Sequence, residues 1–457
     1  VDKSQQKLVG VFGLGMSGLA AARYLQRTDQ QFFVVDTRAK PPGEKELASL
    51  NNCFSHYFGD IPQELLNSAN MIIVSPGIDS NIAPLNQARK NGVDIVGDVE
   101  IFARQTKGKI VAITGSNGKS TVTDLTYQLL KAAGANVAIG GNFGVPVLDF
   151  LPLDQADIYV LELSSFQLDT TRSLKAEVAT VLNISEDHMD RYTDLTAYQN
   201  SKLTIYQGAK KCVVNLDDKQ TDYRGDRNRK QDNEISNVVE FSLTNHDAKY
   251  HTEMVDKRIA LLNEEQVIVY ADQLKISGAH NLSNALAAIA LVKELGFSFC
   301  DSMNKCLRNY SGLAHRFELV ESANNCVWIN DSKATNVGAT LAALNGIQPT
   351  VKFVILIAGG DAKGSDLTPL KHVLNTKVNK LILIGKDAKL FAEMVPEDRV
   401  YFAKDMPDAV QYASKLVTQQ VDSESLVLLS PACASLDMYS SYVARGEAFI
   451  DAVRACA

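Results

Sequence analysis

Short runs rich in Val, Ile and Leu alternate along this chain with longer stretches whose apolar residues recur at helical spacing. Leu8–Phe12, Phe32–Val35, Met71–Val74, Ile110–Ile113, Ile158–Leu161, Val178–Leu182, Val351–Ile357, Lys380–Ile384 and Leu426–Leu429 read as strands buried on both faces, the pattern of a parallel sheet. Between two of them, Val122, Leu125, Leu129, Leu130 and Ala133 form an apolar stripe on a helix that Gly134 stops. Strand, loop and helix in repetition predict an α/β fold, with ligand sites at the carboxyl ends of the strands. Three blocks follow from the pattern: residues 1–97, 98–312 and 313–457. The polar stretch Thr221–Asn237 reads as a solvated loop.

Composition narrows the class. With 457 residues, 46% hydrophobic and 22% charged, the chain is a soluble globular protein of about three domains, able to bury cores without disulfide or metal staples. A net charge of -7 argues against nucleic acid as the main partner. The seven cysteines contain no C-x-x-C pair, and Cys212 sits in an apolar run, so free thiols in a reducing cytosol are expected. No apolar run reaches the ~18 residues of a membrane helix. The apolar N-terminal run is broken by a glycine fingerprint and does not read as a signal peptide.

The strongest chemical signal is Thr114-Gly115-Ser116-Asn117-Gly118-Lys119-Ser120-Thr121, between a strand and a helix. Its glycines let backbone N–H groups face a phosphate, and the helix N-terminus adds partial positive charge. Lys119 reaches toward the β- and γ-phosphates, and Ser120 or Thr121 can ligate Mg²⁺. The usual G-x-x-x-x-G-K-[ST] spacing asks for glycine where Ile113 stands, so the loop is a variant. Glu162 ends a neighbouring strand, a natural Mg²⁺ ligand position. A third strand leads into Asn183-Ile184-Ser185-Glu186-Asp187-His188-Met189-Asp190. His188 there shares the carboxyl edge with Lys119 and Glu162; Glu186, Asp187 and Asp190 are further ligands or simply loop charges.

The first block opens with Gly13-Leu14-Gly15-Met16-Ser17-Gly18 after a strand, and Asp36 ends the next strand. Alone, this spacing describes an NAD-dependent dehydrogenase. A second nucleotide loop downstream disfavours that reading, and the same cradle suits the diphosphate of a UDP-sugar, with Asp36, Thr37 and Arg38 beside it and Ser75-Pro76-Gly77 on the rim. In the third block Arg316 can fork onto a phosphate. Asp331, Lys333 and Thr335 share one face if strand geometry persists there. With Gly359-Gly360-Asp361-Ala362-Lys363 and Ser430-Pro431-Ala432-Cys433-Ala434-Ser435 they outline a small-anion pocket. That pocket and the second cradle also disfavour a P-loop switch or motor.

Taken together, TGSNGKST, Glu162, NISEDHMD, Asn281 and Asn284 in HNLSNALAA, AHRFE, NDSKATN and GGDAKGSD resemble the Mur ligase superfamily over essentially the whole chain. SPG at Ser75–Gly77, GDVEIF at Gly97–Phe102 and SPACASLDMY resemble its branch that adds D-glutamate to UDP-N-acetylmuramoyl-L-alanine. The D-N-P-R motif of the enzyme adding the third amino acid is absent. The branch adding L-alanine shares H-R-F-E and is the nearest rival, whereas folylpolyglutamate synthases lack the UDP-binding front domain. The resemblance implies three domains: Rossmann-like, P-loop ATPase-type and Rossmann-like. It implies an ATP-dependent ligase of bacterial peptidoglycan precursor synthesis working through an acyl-phosphate, cytoplasmic and monomeric.

The same resemblance implies roles. Gly115, Asn117, Gly118, Lys119, Ser120, Thr121, Asn284, Arg316, Asp331 and Lys333 would bind ATP. Ser120, Glu162, His188 and a carbamylated Lys202 would hold two Mg²⁺ ions. Met16, Ser17, Asp36, Thr37, Arg38, Ser75, Pro76, Gly77, Asn142 and His188 would take the UDP-substrate. Thr335, Lys363, Ser435, Leu436 and Tyr442 would hold D-glutamate; Tyr442 stands where the family often has phenylalanine. Lys119, Glu162, His188 and Lys202 form the implied catalytic set.

Overall fold

The computed structural model describes residues 7–153, 155–225, 237–323, 326–347, 350–420 and 424–456. Most of the polar stretch expected as a loop, 226–236, lies outside the described residues.

The fold is α/β, built on three sheets. The first contains β1 (Val9–Phe12), β2 (Phe32–Asp36), β3 (Cys53–Phe58), β4 (Met71–Val74) and β5 (Asp94–Val96), all parallel, in the order β3-β2-β1-β4-β5. The order reverses between β1 and β4, so the loops after these strands flank a crevice. The second contains β6 (Lys109–Thr114), β7 (Val137–Gly141), β8 (Ile158–Glu162), β9 (Val178–Val181), β10 (Lys211–Asn215), β11 (Val238–Ser242), β12 (Tyr250–Val255), β13 (Arg258–Asn263) and β14 (Gln266–Tyr270). Their order is β14-β13-β12-β11-β10-β9-β6-β8-β7, parallel except for the hairpins joining β12, β13 and β14. The third contains β15 (Glu318–Ala323), β16 (Cys326–Asn330), β17 (Phe353–Gly359), β18 (Lys380–Ile384), β19 (Val400–Phe402) and β20 (Ser425–Leu429), in the order β15-β16-β20-β17-β18-β19.

The central strands are apolar on both faces because helices cover both. Val111, Ile113 and Val160 face one layer with Val122, Leu125, Leu129 and Leu130; Ala112, Leu161 and Tyr159 face the other. All of these are fully buried, at roughly 1.5–3 kcal/mol for each large aliphatic side chain. Helix Lys119–Ala132 carries the expected stripe, and Gly134 follows it with φ +82°. It packs on Ala279–Glu294, whose small residues Ala285, Ala287, Ala288 and Ala290 allow close approach.

The first and second domains are fastened at several points. Arg23 Nε donates to Asp149 Oδ1 at 3.0 Å, and Arg27 Nη2 to the Leu148 carbonyl at 2.6 Å. In the connecting segment, Gly97 N–H donates to the Thr170 carbonyl at 3.1 Å. A side chain at Gly97 would collide with Thr170, its Cβ falling 2.3 Å from Oγ1. Buried Glu100 accepts from the N–H groups of Arg172 (2.6 Å) and Ser173 (2.8 Å) and from the Ser173 hydroxyl (2.8 Å). Burial alone would raise the Glu100 carboxyl, but these donors and Arg104 outweigh it and hold it below the usual range. Asp98 is buried among Val99 N–H, Ser17 and Gln167, and burial pushes its carboxyl up.

Among the described residues no helix is long and apolar enough to cross a membrane. The seven cysteines are unpaired; Cys212, Cys326 and Cys433 are buried, while Cys300 and Cys456 are exposed.

Candidate active site

The tips of β6, β8, β9, β16 and β17 converge on one cavity of about 780 Å³. The glycine-rich loop after β6 forms its floor. Gly115 (φ +153°) and Gly118 (φ +82°) occupy backbone conformations that favour glycine. A Cβ at Gly118 would also sit 2.4 Å from Asn284 Oδ1. Asn183, just past β9, clamps the loop from outside: its side chain accepts from Asn117 N–H (2.8 Å) and donates to the Asn117 carbonyl (3.0 Å). Ser116 Oγ donates to the Ser185 carbonyl at 3.0 Å and accepts from Ser185 N–H at 2.9 Å. The sequence shows Ser116 and Asn183 inside two of its motifs but gives neither a role of its own.

The Lys119 ammonium folds back on its own loop, donating to the carbonyls of Gly115 and Ser116, both at 2.8 Å. Burial pushes it down, and the neighbouring carboxylates Glu162 and Asp187 recover only part of that shift. Ser120 Oγ donates to Glu162 Oε2 at 2.5 Å and accepts from Arg316 Nη2 at 2.6 Å. Asn142 Nδ2 donates to the other Glu162 oxygen at 2.6 Å. Arg316 thus reaches from the third domain into the phosphate loop of the second.

Lys202 is 1% exposed, on helix Leu195–Leu203. Its Nζ lies 3.4 Å from Thr114 Oγ1 and 4.6 Å over the Tyr198 ring. Burial, and then Lys119, push this amine well below its ordinary value. His188 adopts φ +58°, its N–H donates to Asp187 Oδ1 at 3.0 Å, and its ring stands edge-on to Phe166. Burial lowers its pKa, opposed by Asp187 and helped by Lys363, Lys119 and Lys202. Among the described residues no three His, Cys, Asp or Glu side chains converge as a metal cluster. Ser120 and Glu162, hydrogen-bonded to one another, offer a hard cation a sparse pair of oxygen donors of the kind Mg²⁺ completes with water and phosphate, and Thr121 and Asp187 line the same cavity.

The third domain closes the far wall. Strand β16 ends at Asn330, and Asp331–Asn336 form turns rather than continuing the strand, so Asp331, Lys333 and Thr335 do not share a face by alternation. All three still line the cavity. The turn is fixed by Arg445, 1% exposed, which donates to Ser332 Oγ (3.0 Å), the Ser332 carbonyl (2.8 Å) and the Cys433 carbonyl (3.0 Å). Burial pushes Asp331 up to about 7, against the Ser430 hydroxyl (2.9 Å) and Phe317 N–H (3.1 Å). Lys333 is lowered to about 8 by burial and Arg316, and its ammonium lies 4.3 Å over the Tyr442 ring. Lys363 (φ +50°) and Tyr442 complete this wall; Ser435 and Leu436 lie outside the lining.

The first-domain residues form a separate locus at the β1–β4 crevice. Asp36 is buried and engaged, accepting from Leu14 N–H (2.6 Å) and from Arg38 N–H (2.8 Å), Nε (2.8 Å) and Nη2 (2.7 Å). Ser75 Oγ donates to the Gly13 carbonyl at 2.7 Å, tying the two loops of the crevice together. Met16 is 82% exposed at the start of helix Met16–Arg27. Thr37, Pro76 and Gly77 follow β2 and β4 on the same edge.

A crevice after β1 and β4 in the first domain, a glycine-rich loop between strand and helix in the second, and a third-domain wall carrying Arg316, Lys333 and Lys363 suit a ligase-type, three-domain α/β enzyme. Three family models match in the same order: "Mur ligase MurD-like, N-terminal domain" over 7–97, "Mur ligase middle domain" over 113–292 and "Mur ligase, glutamate ligase domain" over 315–433. UDP-N-acetylmuramoylalanine--D-glutamate ligases are similar along nearly the full length. The Escherichia coli K12 protein is 42% identical over 97% of this chain and 97% of its own. That of Shewanella violacea is 43% identical over 96% and 94%. The chain belongs to the Mur ligase family, in its UDP-N-acetylmuramoylalanine--D-glutamate ligase branch. Solved structures share the fold: MurF ligase from Thermotoga maritima in complex with ADP, with TM-score 0.61 at 16% identity over 100% and 99% of the chains. A pseudomurein peptide ligase type C from Methanothermus fervidus gives 0.59 at 20% identity over 93% and 97%.

Proposed function

We propose that this chain joins D-glutamate to UDP-N-acetylmuramoyl-L-alanine at the expense of ATP, through an acyl-phosphate, in bacterial peptidoglycan precursor synthesis. The observation that supports it most is the convergence on one cavity of Lys119, Ser120 and Glu162 with Arg316, Lys333 and Lys363 from another domain. A carboxylate is a poor electrophile because its leaving group would be oxide. Its oxygen therefore attacks the γ-phosphate in line, and ADP departs. Lys119, released from its two loop carbonyls, offsets the repulsion between the anionic reactants. The neutral amine of D-glutamate then attacks the acyl carbon, the nitrogen gives up a proton, and the tetrahedral intermediate collapses with loss of phosphate. An acyl-phosphate hydrolyses in water, so a cavity spanning two domains suits a site that closes before chemistry.

On this reading the domains are 1–97 for the UDP-substrate, 98–312 for ATP and 313–457 for the amino acid, in a cytoplasmic monomer. Gly115, Asn117, Gly118, Lys119, Ser120, Thr121, Asn284, Arg316, Asp331 and Lys333 take ATP. Met16, Ser17, Asp36, Thr37, Arg38, Ser75, Pro76 and Gly77 hold the UDP end, and Asn142 and His188 the peptide end. Thr335, Lys363 and Tyr442 hold D-glutamate; Ser435 and Leu436 adjoin them through the Asp361–Ala434 bridge. Two Mg²⁺ ions, when bound, would neutralise phosphate charge, one at Ser120 and Glu162, the second at His188 and Lys202. A buried Lys202 amine, its pKa pushed down by burial and by Lys119, suits attack on CO₂ once it has given up its proton; the nitrogen bonds to carbon, sheds a second proton and becomes a carbamate, an anion able to ligate metal.

Phosphate release from ATP with UDP-N-acetylmuramoyl-L-alanine and a panel of amino acids tests the proposal. Release with D-glutamate alone supports it. Release with UDP-N-acetylmuramate and L-alanine moves the chain to the alanine-adding branch. NAD reduction with an alcohol and no phosphate release overturns the reading.

A further inference from the structure

The geometry points to Asn336 as a positioning residue: with Gly338 it forms a latch by which the third domain docks on the phosphate loop and sets His188. The inference rests on the ligase reading above. Asn336 is buried and is the N-cap of helix Val337–Asn345, its Oδ1 accepting from Ala339 N–H at 2.9 Å. Capping alone would explain an asparagine here and would use only that oxygen. The Nδ2 group does something else. It donates to Asn117 Oδ1 and to Asp187 Oδ2, both at 3.1 Å. One amide therefore joins the third domain to the glycine-rich loop and to the segment after β9.

Gly338 supplies an independent observation. A Cβ at Gly338 would fall 2.6 Å from Ser185 Oγ, 3.0 Å from Ser185 Cβ and 3.2 Å from Asn117 Nδ2. The first turn of the helix is thus pressed against the same two segments that Asn336 bridges, and a Cβ there would have to displace Ser185. Asp187 transmits the contact. Its Oδ2 takes the Asn336 donor while its Oδ1 accepts the His188 N–H, in a residue held at φ +58°. Such a backbone persists only when its surroundings fix it. Docking of the third domain therefore fixes the Asp187 carboxylate, and with it the His188 backbone from which the ring projects, while Asn117 is held from the other side by Asn183.

The test separates latch from cap. Asn336→Ser keeps an N-cap oxygen and loses the bridging donor; Gly338→Ala removes no hydrogen-bonding group and adds the obstructing carbon. Kinetics are measured with ATP, UDP-N-acetylmuramoyl-L-alanine and D-glutamate, and compaction by small-angle scattering with a non-hydrolysable ATP analogue plus the UDP-substrate. For Asn336→Ser, kcat falls about tenfold or more, KM for the UDP-substrate moves less than about twofold, and thermal stability stays near wild type. Gly338→Ala compacts less than wild type. Asn117→Ala combined with Asn336→Ser is little worse than the more impaired single variant, because both remove the same Asn336–Asn117 bond. A kcat for Asn336→Ser within twofold of wild type, or strictly additive losses in the double variant, overturns the latch. Should wild type lack D-glutamate-dependent phosphate release, the ligase reading fails. Compaction then decides the latch alone: loss in Asn336→Ser upholds it, and wild-type compaction in both variants refutes it.

Discussion

Asp331→Asn offers a quantitative test of how the third domain is built. The carboxyl sits in the wall of the cavity and loss of solvent pushes it up to about 7, with Ser430 Oγ, Phe317 N–H and the charge of Arg316 favouring its ionised form. In the unfolded chain an aspartate ionises near 4. Between these two values the folded protein holds a proton that the unfolded chain has released, so raising the pH favours unfolding. The slope approaches about 1.4 kcal/mol per pH unit for this group, amounts to about 2 kcal/mol from pH 5 to 7, and fades above pH 7 as both states become ionised. The variant has nothing to titrate there. Trp328, the single tryptophan of the chain, lies buried in β16 three residues before Asp331 and reports this domain's unfolding. Urea titrations followed by its fluorescence at pH 5, 6, 7 and 8 give both stabilities. Wild type should lose stability relative to Asp331→Asn from pH 5 to 7, then run parallel to it. Parallel curves over the whole range would refute the claim that a protonated, desolvated carboxyl is part of the folded domain.

Three further outcomes are expected. Lys119→Ala should lower turnover at least about a hundredfold, the scale of losing one electrostatic stabiliser; near-normal turnover in a folded variant would reject the phosphate-loop role. Lys202→Ala should be inactive and partly rescued by a short added carboxylic acid, and absence of any rescue would count against the carbamate. Lys363→Ala should raise KM for D-glutamate more than KM for ATP, and steady-state kinetics giving the reverse would place Lys363 elsewhere.

Strands buried on both faces were legible because unbroken Val and Ile runs leave few alternatives; Met71–Val74 and Lys380–Ile384 match residue for residue. Edge and hairpin strands were not. β3, Cys-Phe-Ser-His-Tyr-Phe, is nowhere fully buried, and β12 turns exposed from Glu253 onward, so neither gives a clean apolar run. Lys119 and Glu162 could be read because a strand and a helix bracket them in the order a phosphate loop requires. Lys202 could not be read from its neighbours: Asn-Ser-Lys-Leu looks like a helix surface, and its burial comes from packing beside Thr114 and Tyr198, distant in sequence. The turn at Asp331 was misjudged because Arg445, more than a hundred residues away, fixes it. Asn336 was hidden for a different reason: an asparagine before a helix already has a sufficient local explanation.

The fastening of the first domain to the second gives the enzyme a fixed gauge. Gly97 and Glu100 pin the connecting segment to residues 170–173, between β8 and β9, and Arg23 and Arg27 grip the same domain from the front helix. The span from the β1–β4 crevice to the phosphate loop is therefore set by the protein rather than by the ligand. Under the proposed function, a substrate anchored by its nucleotide is measured by its length. One amino acid too few leaves the terminal carboxylate short of the γ-phosphate, and one too many carries it past, so the number of residues already attached is counted by distance, with no need to recognise each side chain.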